Sequence, residues 1–320
     1  MQQVSGIPAA RAAEAFARMA PQARQLAVQG AGRGIERLVT RAGFSLHRQA
    51  LDLLAPAPSR AIALLTGFPI RMPGGRITFE NDGPLGAALL AHAFLAAGWS
   101  ATLVCDRGAG AMIDALRASI RASSGGAPGR VLLARSARSV EVAHAALAAR
   151  GTTHLIAIER PGAAADGNYY NLRAEPVSAD IAPADRLVRN VAWRTAAYAD
   201  GGNEIGMGNI GAARIAATIR HGRRIASRTR VDHLTLCGVS NWGAYGLLAF
   251  LATGLGRRRN NPFLASLDLR LDRALFAAAR EAGAVDGVTR TAARSVDAIA
   301  LEVHQDKLRA FRALALHHLD

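Results

Sequence analysis

The chain has 320 residues, half of them hydrophobic, enough to bury a full core in one large domain or two smaller ones, which excludes a disordered chain or a disulfide-dependent scaffold. Its 39 Lys+Arg against 24 Asp+Glu leave a formal charge of +15, yet the basic residues are scattered singly, with Arg257-Arg258-Arg259 the densest run, and no nucleic-acid motif accompanies them. The expectation is therefore no nucleic-acid partner, and an anionic small molecule suits the charge equally well. Lys307 is the single lysine and sits in a charged helical pattern, which argues against Schiff-base chemistry. Cys105 and Cys237 fit no metal-site or disulfide spacing and point to a reducing compartment, the cytoplasm, or the mitochondrial matrix if the chain is eukaryotic.

In chain order, residues 1–58 read as basic amphipathic helices with Pro56 and Pro58 near their end, a helical N-terminal extension ahead of an α/β domain over 59–320. Short apolar strands follow at 61–65, 77–79, 101–105, 131–134, 154–158 and 234–237, separated by helical stretches at 85–97, 140–150 and 210–220. This alternation predicts a mostly parallel sheet with helices on both faces. The uncharged run over 83–105 has the length of a membrane span, but Gly83-Pro84, His92 and Gly98-Trp99-Ser100 divide it into helix, turn and strand, so no membrane partner is expected.

Ligands in such folds bind beyond the carboxyl ends of the strands. Here those exits are polar or glycine-rich: Thr66-Gly67-Phe68-Pro69, Glu80-Asn81-Asp82-Gly83-Pro84, Glu159-Arg160-Pro161-Gly162 and Gly238-Val239-Ser240-Asn241-Trp242-Gly243. Asp82 serves equally as turn chemistry ahead of a helix that starts at Pro84, and Ser240 or Asn241 as a helix cap. Glu159-Arg160 at the sheet rim is poorly explained as a surface ion pair, and the planar fork of Arg160 suits a carboxylate. Asn168-Tyr169-Tyr170-Asn171 could line the same pocket, although tyrosine pairs also simply pack.

Residues 200–210 place two carboxylates, two carboxamides and four glycines in eleven positions. Gly206 to Gly211 formally match GxGxxG, but the polar Asp-Gly-Gly-Asn-Glu precedes the match where a dinucleotide site needs an apolar strand. Asn209 is expected to cap the 210–220 helix and Gly222 to end it, which leaves Asp200, Asn203 and Glu204 without a structural explanation. His221 reads as a cation at a helix C-terminus and His304 as an ordinary helix residue.

Taken in order, and with Val285-Asp286-Gly287 and Ser295-Val296-Asp297 near the end, these motifs resemble the D-glutamate cyclase family over residues 60–305. The sequence departs from the family pattern at Asn81, where the family usually has Thr, at Ala199 and Ala298, where it has Gly, and at Arg223-Arg224, where relatives often carry acidic residues. The resemblance implies a lyase that dehydrates D-glutamate to 5-oxo-D-proline, the α-amine closing onto the side-chain carboxylate. Such a reaction needs a curled substrate, a base for the ammonium, and donors or a cation to make a carboxylate accept attack.

On that reading Glu159 or Glu204 is the general base, and Asp200 joins them in the catalytic set. Arg160, Asn171 and Asn241 hold substrate carboxylates, and Asp82, Tyr169, Asn203 and Ser240 complete the substrate-binding set. Alternatively, Asp82, Asp200 and Glu204 hold Mg²⁺ or Mn²⁺ through oxygen ligands. The expected partner is a small dicarboxylic amino acid; the competing readings are a different reaction, or binding without catalysis, on the same scaffold.

Overall fold

The computed structural model describes residues 7–30, 34–39, 43–189, 191–257 and 260–319; Arg258 and Arg259 of the basic run lie outside them. The chain opens with helices α1 (Ala9–Val28) and α2 (Leu46–Leu54). Strand β1 (Ala61–Thr66) leads through an antiparallel ribbon, β2 (Pro69–Arg71) and β3 (Ile77–Phe79), into α3 (Pro84–Ala96). Then β4 (Ser100–Asp106), α4 (Gly110–Ser124), β5 (Gly129–Leu133), α5 (Ala137–Ala149) and β6 (His154–Ile158) alternate. After a long irregular segment come β7 (Arg194–Ala199), α6 (Ala212–Thr218), α7 (Gly222–Ile225), β8 (His233–Leu236) and α8 (Ser240–Leu255). The chain finishes with α9 (Pro262–Ser266), α10 (Leu269–Glu281), a small ribbon of β9 (Ser295–Val296) and β10 (Ile299–Ala300), and α11 (Leu301–His317).

Six strands form one sheet in the order β5-β4-β1-β6-β7-β8, and every pairing in it is parallel. Chain connectivity therefore reverses between β1 and β6, the neighbouring pair whose carboxyl ends open a crevice in doubly wound sheets. Successive β1 residues point to opposite faces. Leu64 joins a core with Phe16, Phe94, Trp242 and Phe250, while Ala63 and Leu65 join a second core with Leu155, Leu187 and Leu234. Helix α8 is buried along its whole length, which explains its nearly uniform apolar composition.

The N-terminal helices belong to the first of these cores. Phe16 of α1 meets Phe250 of α8 edge to face at 5.2 Å, and Leu46 and Leu53 of α2 are buried in the same cluster. Lys307 closes the end of α1: its Nζ donates to Leu26 O at 3.0 Å and Gln29 O at 2.7 Å and lies 4.6 Å from the Trp242 ring centroid. Segment 9–54 thus shares one apolar cluster with the residues that follow it. Among the described residues no helix is long and apolar enough to cross a membrane.

Two expectations about elements change. Strand β7 was not legible, because Arg-Thr-Ala-Ala-Tyr-Ala has three alanines, which carry little strand preference. The single helix expected over 210–220 is instead α6 followed by α7, since Gly211 takes φ +92°, Ile219 is extended and His221 takes φ +60°. Asn209 does not cap it: its side chain donates to Val231 O at 2.8 Å and accepts from Val231 N at 3.1 Å. Gly222 begins α7 and ends nothing, and His221 stands at the N-terminus of that helix, not at the end of a longer one.

His154, the first residue of β6, is 8% exposed, with Nδ1 3.0 Å from Thr153 Oγ1 and Nε2 without a partner. Burial, followed by the nearby Arg60 charge, pushes its pKa down to about 4. The folded protein therefore holds this imidazole neutral while the unfolded chain protonates it below its ordinary value of about 6.5. Stability from this residue is complete above that value and is lost as pH falls toward 4, by roughly 3 kcal/mol. Urea unfolding at stepped pH is expected to show this loss, and His154→Asn is expected to flatten it.

Candidate functional site

The turn after β3 lies against the end of β6 because residue 83 is glycine. Gly83 has φ +86°, and a Cβ there would stand 2.6 Å from Ile158 O and 2.7 Å from Glu159 Cβ. The turn places Asp82 at the start of α8. Its Oδ1 accepts from the backbone N–H groups of Gly83 and Asn241, both at 2.9 Å, and its Oδ2 from that of Ser240 at 2.9 Å. A carboxylate there satisfies otherwise orphaned amides and faces the positive end of the helix dipole.

Glu159 leaves β6 with φ +45°, a strained value for a residue with a β-carbon. Its Oε2 accepts from Ser240 Oγ at 2.6 Å. Asp200 is the first residue beyond β7, so the glycine-rich segment is a strand exit after all. Glu204 folds back on that segment: Oε1 accepts from Gly201 N at 2.6 Å and Asp200 N at 3.3 Å, and Oε2 from Gly202 N at 2.8 Å.

These strand ends bring Asp82, Glu159 and Asp200 together, with one carboxylate oxygen of each lying within 4.8 Å of the others, all three buried. The trio differs from the expected set of Asp82, Asp200 and Glu204 in holding Glu159 in place of Glu204, whose carboxylate folds back onto its own loop. Burial, then the neighbouring carboxylates of Asp200, Glu204, Glu80 and Asp82, holds the pKa of Glu159 well above the ordinary carboxylate range. Burial also raises that of Glu204, against the pull of its amide bonds.

Glu159 and Asp200 of the trio line a cleft of about 340 Å³, within the range of small-molecule sites, and Asp82 stands behind them. Glu80, Glu159, Asp200 and Asn203 line its inner part and are at most 6% exposed. One wall comes from the C-terminal segment, which pairs with β3: Val285 N donates to Phe79 O at 3.2 Å and Asn81 N to Val285 O at 2.9 Å. Asn81 Nδ2 also donates to Ser295 O at 2.8 Å. A Cβ at Gly287 would collide with the Glu80 carboxylate, so glycine there lets this wall close. Asp286 shapes the wall by accepting from the backbone N–H groups of Val288, Thr289 and Ala298 and from Ser295 Oγ.

The remaining expected site residues support the cleft from behind or build its edge. Ser240 and Asn241 are scaffolding: Asn241 Oδ1 accepts from Gly83 N at 2.9 Å and Gly86 N at 2.7 Å, which fixes the start of α3 on α8. Arg160 does not present its fork to a substrate. It is 1% exposed, paired with Asp106, and donates to Gly67 O at 3.1 Å and Ala182 O at 2.9 Å. Tyr169 OH bonds Asp185 away from the cleft. The Asn171 carboxamide is engaged in a turn, accepting from Arg173 N and Glu175 N and donating to Glu175 Oε2. Asn203 lines the cleft, with Nδ2 donating to Tyr170 O and Oδ1 without a partner.

Sequence reasoning quoted Glu80 and Asp297 within motifs without giving them a role, and missed Asp106 and the cleft arginines Arg71, Arg173 and Arg290. Glu80 and Asp106 stood directly at strand exits and were open to the same rule that found Asp82. The GxGxxG match cradles no phosphate, because the Gly206 and Gly208 amides both donate to Thr229 O, at 3.0 and 3.1 Å. His304 is more than an ordinary helix residue. Its Nδ1 accepts from Trp242 Nε1 at 2.9 Å and its Nε2 faces Val296 O at 3.1 Å, which suits a neutral imidazole pinning the C-terminal segment to α8.

Comparison with known proteins agrees with these motifs. The family model described as D-glutamate cyclase-like, C-terminal, matches residues 24–312. Among curated proteins, the chain is similar to the D-glutamate cyclase, mitochondrial, of Homo sapiens, 33% identical over 213 residues. That alignment covers 62% of this chain and 33% of the human protein, so the chain spans about a third of the length of that relative.

Ala298 stands at φ +61°, next to Asp297 at φ +58°. A β-carbon in this left-handed position costs ~1–2 kcal/mol, of which the added freedom of glycine in the unfolded chain cancels roughly half. Ala298→Gly is therefore expected to raise stability by ~0.5–1 kcal/mol in thermal or urea melts.

Proposed function

The chain belongs to the D-glutamate cyclase-like C-terminal family, and from that premise we propose that its cleft converts D-glutamate to 5-oxo-D-proline and water. The observation that carries this reading is the convergence of Asp82 with Glu159 and Asp200, the latter two lining a cleft of amino-acid size. In the reaction the amine nitrogen bonds to the side-chain carboxyl carbon, one carbon–oxygen bond of that carboxyl breaks, and two protons from nitrogen leave with the oxygen as water. A single group that twice takes a proton from the nitrogen and passes it to the departing oxygen meets that requirement.

Glu159 suits the task. Its raised proton affinity brings it nearer to the working pH than an exposed carboxylate, and the hydrogen bond from Ser240 holds it in place. Glu204 is a positioning residue, because it shapes the loop that carries Asp200. Asn203 Oδ1, buried beside the cleft and unpartnered, is an acceptor available to the substrate ammonium after a small side-chain movement.

The floor also fits a hard divalent cation. Its donors are carboxylate oxygens only, the set preferred by Mg²⁺ and Mn²⁺. Six carboxylates and three guanidiniums line the cleft, a formal charge of −3 that favours a bound cation. Asp82 and Asp200 would hold the ion, leaving the proton work to Glu159. When bound, the ion supplies the positive charge that makes a substrate carboxylate electrophilic.

Two tests follow from this assignment. With D-glutamate and Mn²⁺, kcat/KM is expected to rise with pH as Glu159 loses its proton. Glu159→Gln is expected to abolish that limb and lower kcat by ~10²–10⁴-fold. In thermal melts, Mn²⁺ is expected to stabilise the wild type and Glu159→Gln but not Asp82→Asn or Asp200→Asn. Full turnover in both Glu159→Gln and Asp200→Asn would refute the reading.

A further inference from the structure

The cleft is electrically divided. Its buried inner part carries Glu80, Glu159 and Asp200, whereas the arginines that line it occur where the protein is open to solvent. Arg71 has 52% of its side chain exposed and Arg290 31%, and Arg173 is exposed as well. D-Glutamate brings two carboxylates into this field, and they cannot share one end. The side-chain carboxylate must reach Glu159 to react, so the α-carboxylate points outward, toward the arginines.

Of these three cations, Arg71 is paired with Asp180 at 2.7 Å and Arg290 with Glu175 at 3.3 Å. Arg173 donates to Val288 O at 3.2 Å and, among the described residues, has no carboxylate oxygen within 4 Å. Its backbone is fixed from below by the Asn171 carboxamide, which accepts from Arg173 N at 2.9 Å and Glu175 N at 3.0 Å, and by the bridge between Tyr170 and Pro176. The turn therefore presents a preorganised guanidinium at the cleft mouth, the group best shaped to hold a carboxylate by two parallel hydrogen bonds.

We infer that Arg173, backed by Arg290, recognises the non-reacting carboxylate and so selects amino acids with two acidic groups over those with one. The identity of the ligand rests on the cyclase reading; the division of the cleft into an acidic floor and a cationic mouth does not. The assignment moves carboxylate recognition from the buried Arg160 to an exposed residue whose charge also acts on the neighbouring Glu175 carboxyl.

Steady-state kinetics with D-glutamate and with 4-aminobutyrate, which closes to the same ring size but lacks the α-carboxylate, test the inference. Arg173→Gln is expected to raise KM for D-glutamate ~10–100-fold, with a smaller effect on kcat, and to collapse the preference for D-glutamate over 4-aminobutyrate. Arg173→Lys is expected to recover part of that preference, because charge returns without the fork. An unchanged preference in Arg173→Gln, or a loss confined to kcat, would overturn the assignment. If the wild type forms no 5-oxoproline, the cyclase reading fails, and calorimetry then decides the mouth separately. Tighter binding of glutarate than of butyrate, lost in Arg173→Gln, sustains it; equal affinities in wild type and variant overturn it.

Discussion

Burying like charges together is the constraint around which this protein is arranged. Glu80, Asp82, Glu159, Asp200 and Glu204 are all at most 6% exposed and lie close enough for their charges to bear on Glu159. Left alone, such a group would repel itself and take up protons. The chain answers each charge differently: Asp82 with the amides that start α8, Glu204 with the amides of its own loop, and Glu159 with the hydroxyl of Ser240. What these bonds do not neutralise is negative charge left at the mouth of the sheet, which supports the proposed cation there.

The rest of the fold follows from holding that group in register. The switch between β1 and β6 opens the crevice, and β7 carries the third carboxylate beside it. Helix α8 begins at the crevice, and its buried length fixes the position of the amides that hold Asp82. The C-terminal segment, paired to β3 and pinned by His304, closes the remaining side. Arg160 secures the back of this arrangement, since its pairing with Asp106 joins the ends of β4 and β6 through a buried contact.

Much of this was legible in the sequence, and the parts that were not have identifiable causes. Apolar runs located β1, β4, β6 and β8, and the strand-exit rule pointed to Asp82, Glu159 and Ser240 before any geometry was known. Strand β7 hid behind its alanines, which in turn hid that Asp200 is a strand exit and that Glu204 belongs to the loop. The role of Arg160 was misread because a sequence does not reveal that Asp106 will meet it across the sheet. Arg173 was lost among many scattered arginines; only its turn and its open charge distinguish it. Family resemblance supplied the order of the motifs, whereas which oxygen faces which amide required coordinates.

On the proposed reading Asp82 and Asp200 hold a divalent cation next to Glu159, the proton carrier, with the substrate lying between these carboxylates and the arginine mouth. Anomalous diffraction from crystals grown with Mn²⁺ and 5-oxo-D-proline tests it most directly. One manganese peak shared by Asp82 and Asp200 is expected, with the carboxylate of the ring turned toward Arg173. A cleft that takes up the ligand with no manganese at the floor, or with the ring carboxylate buried against Glu159, would contradict it.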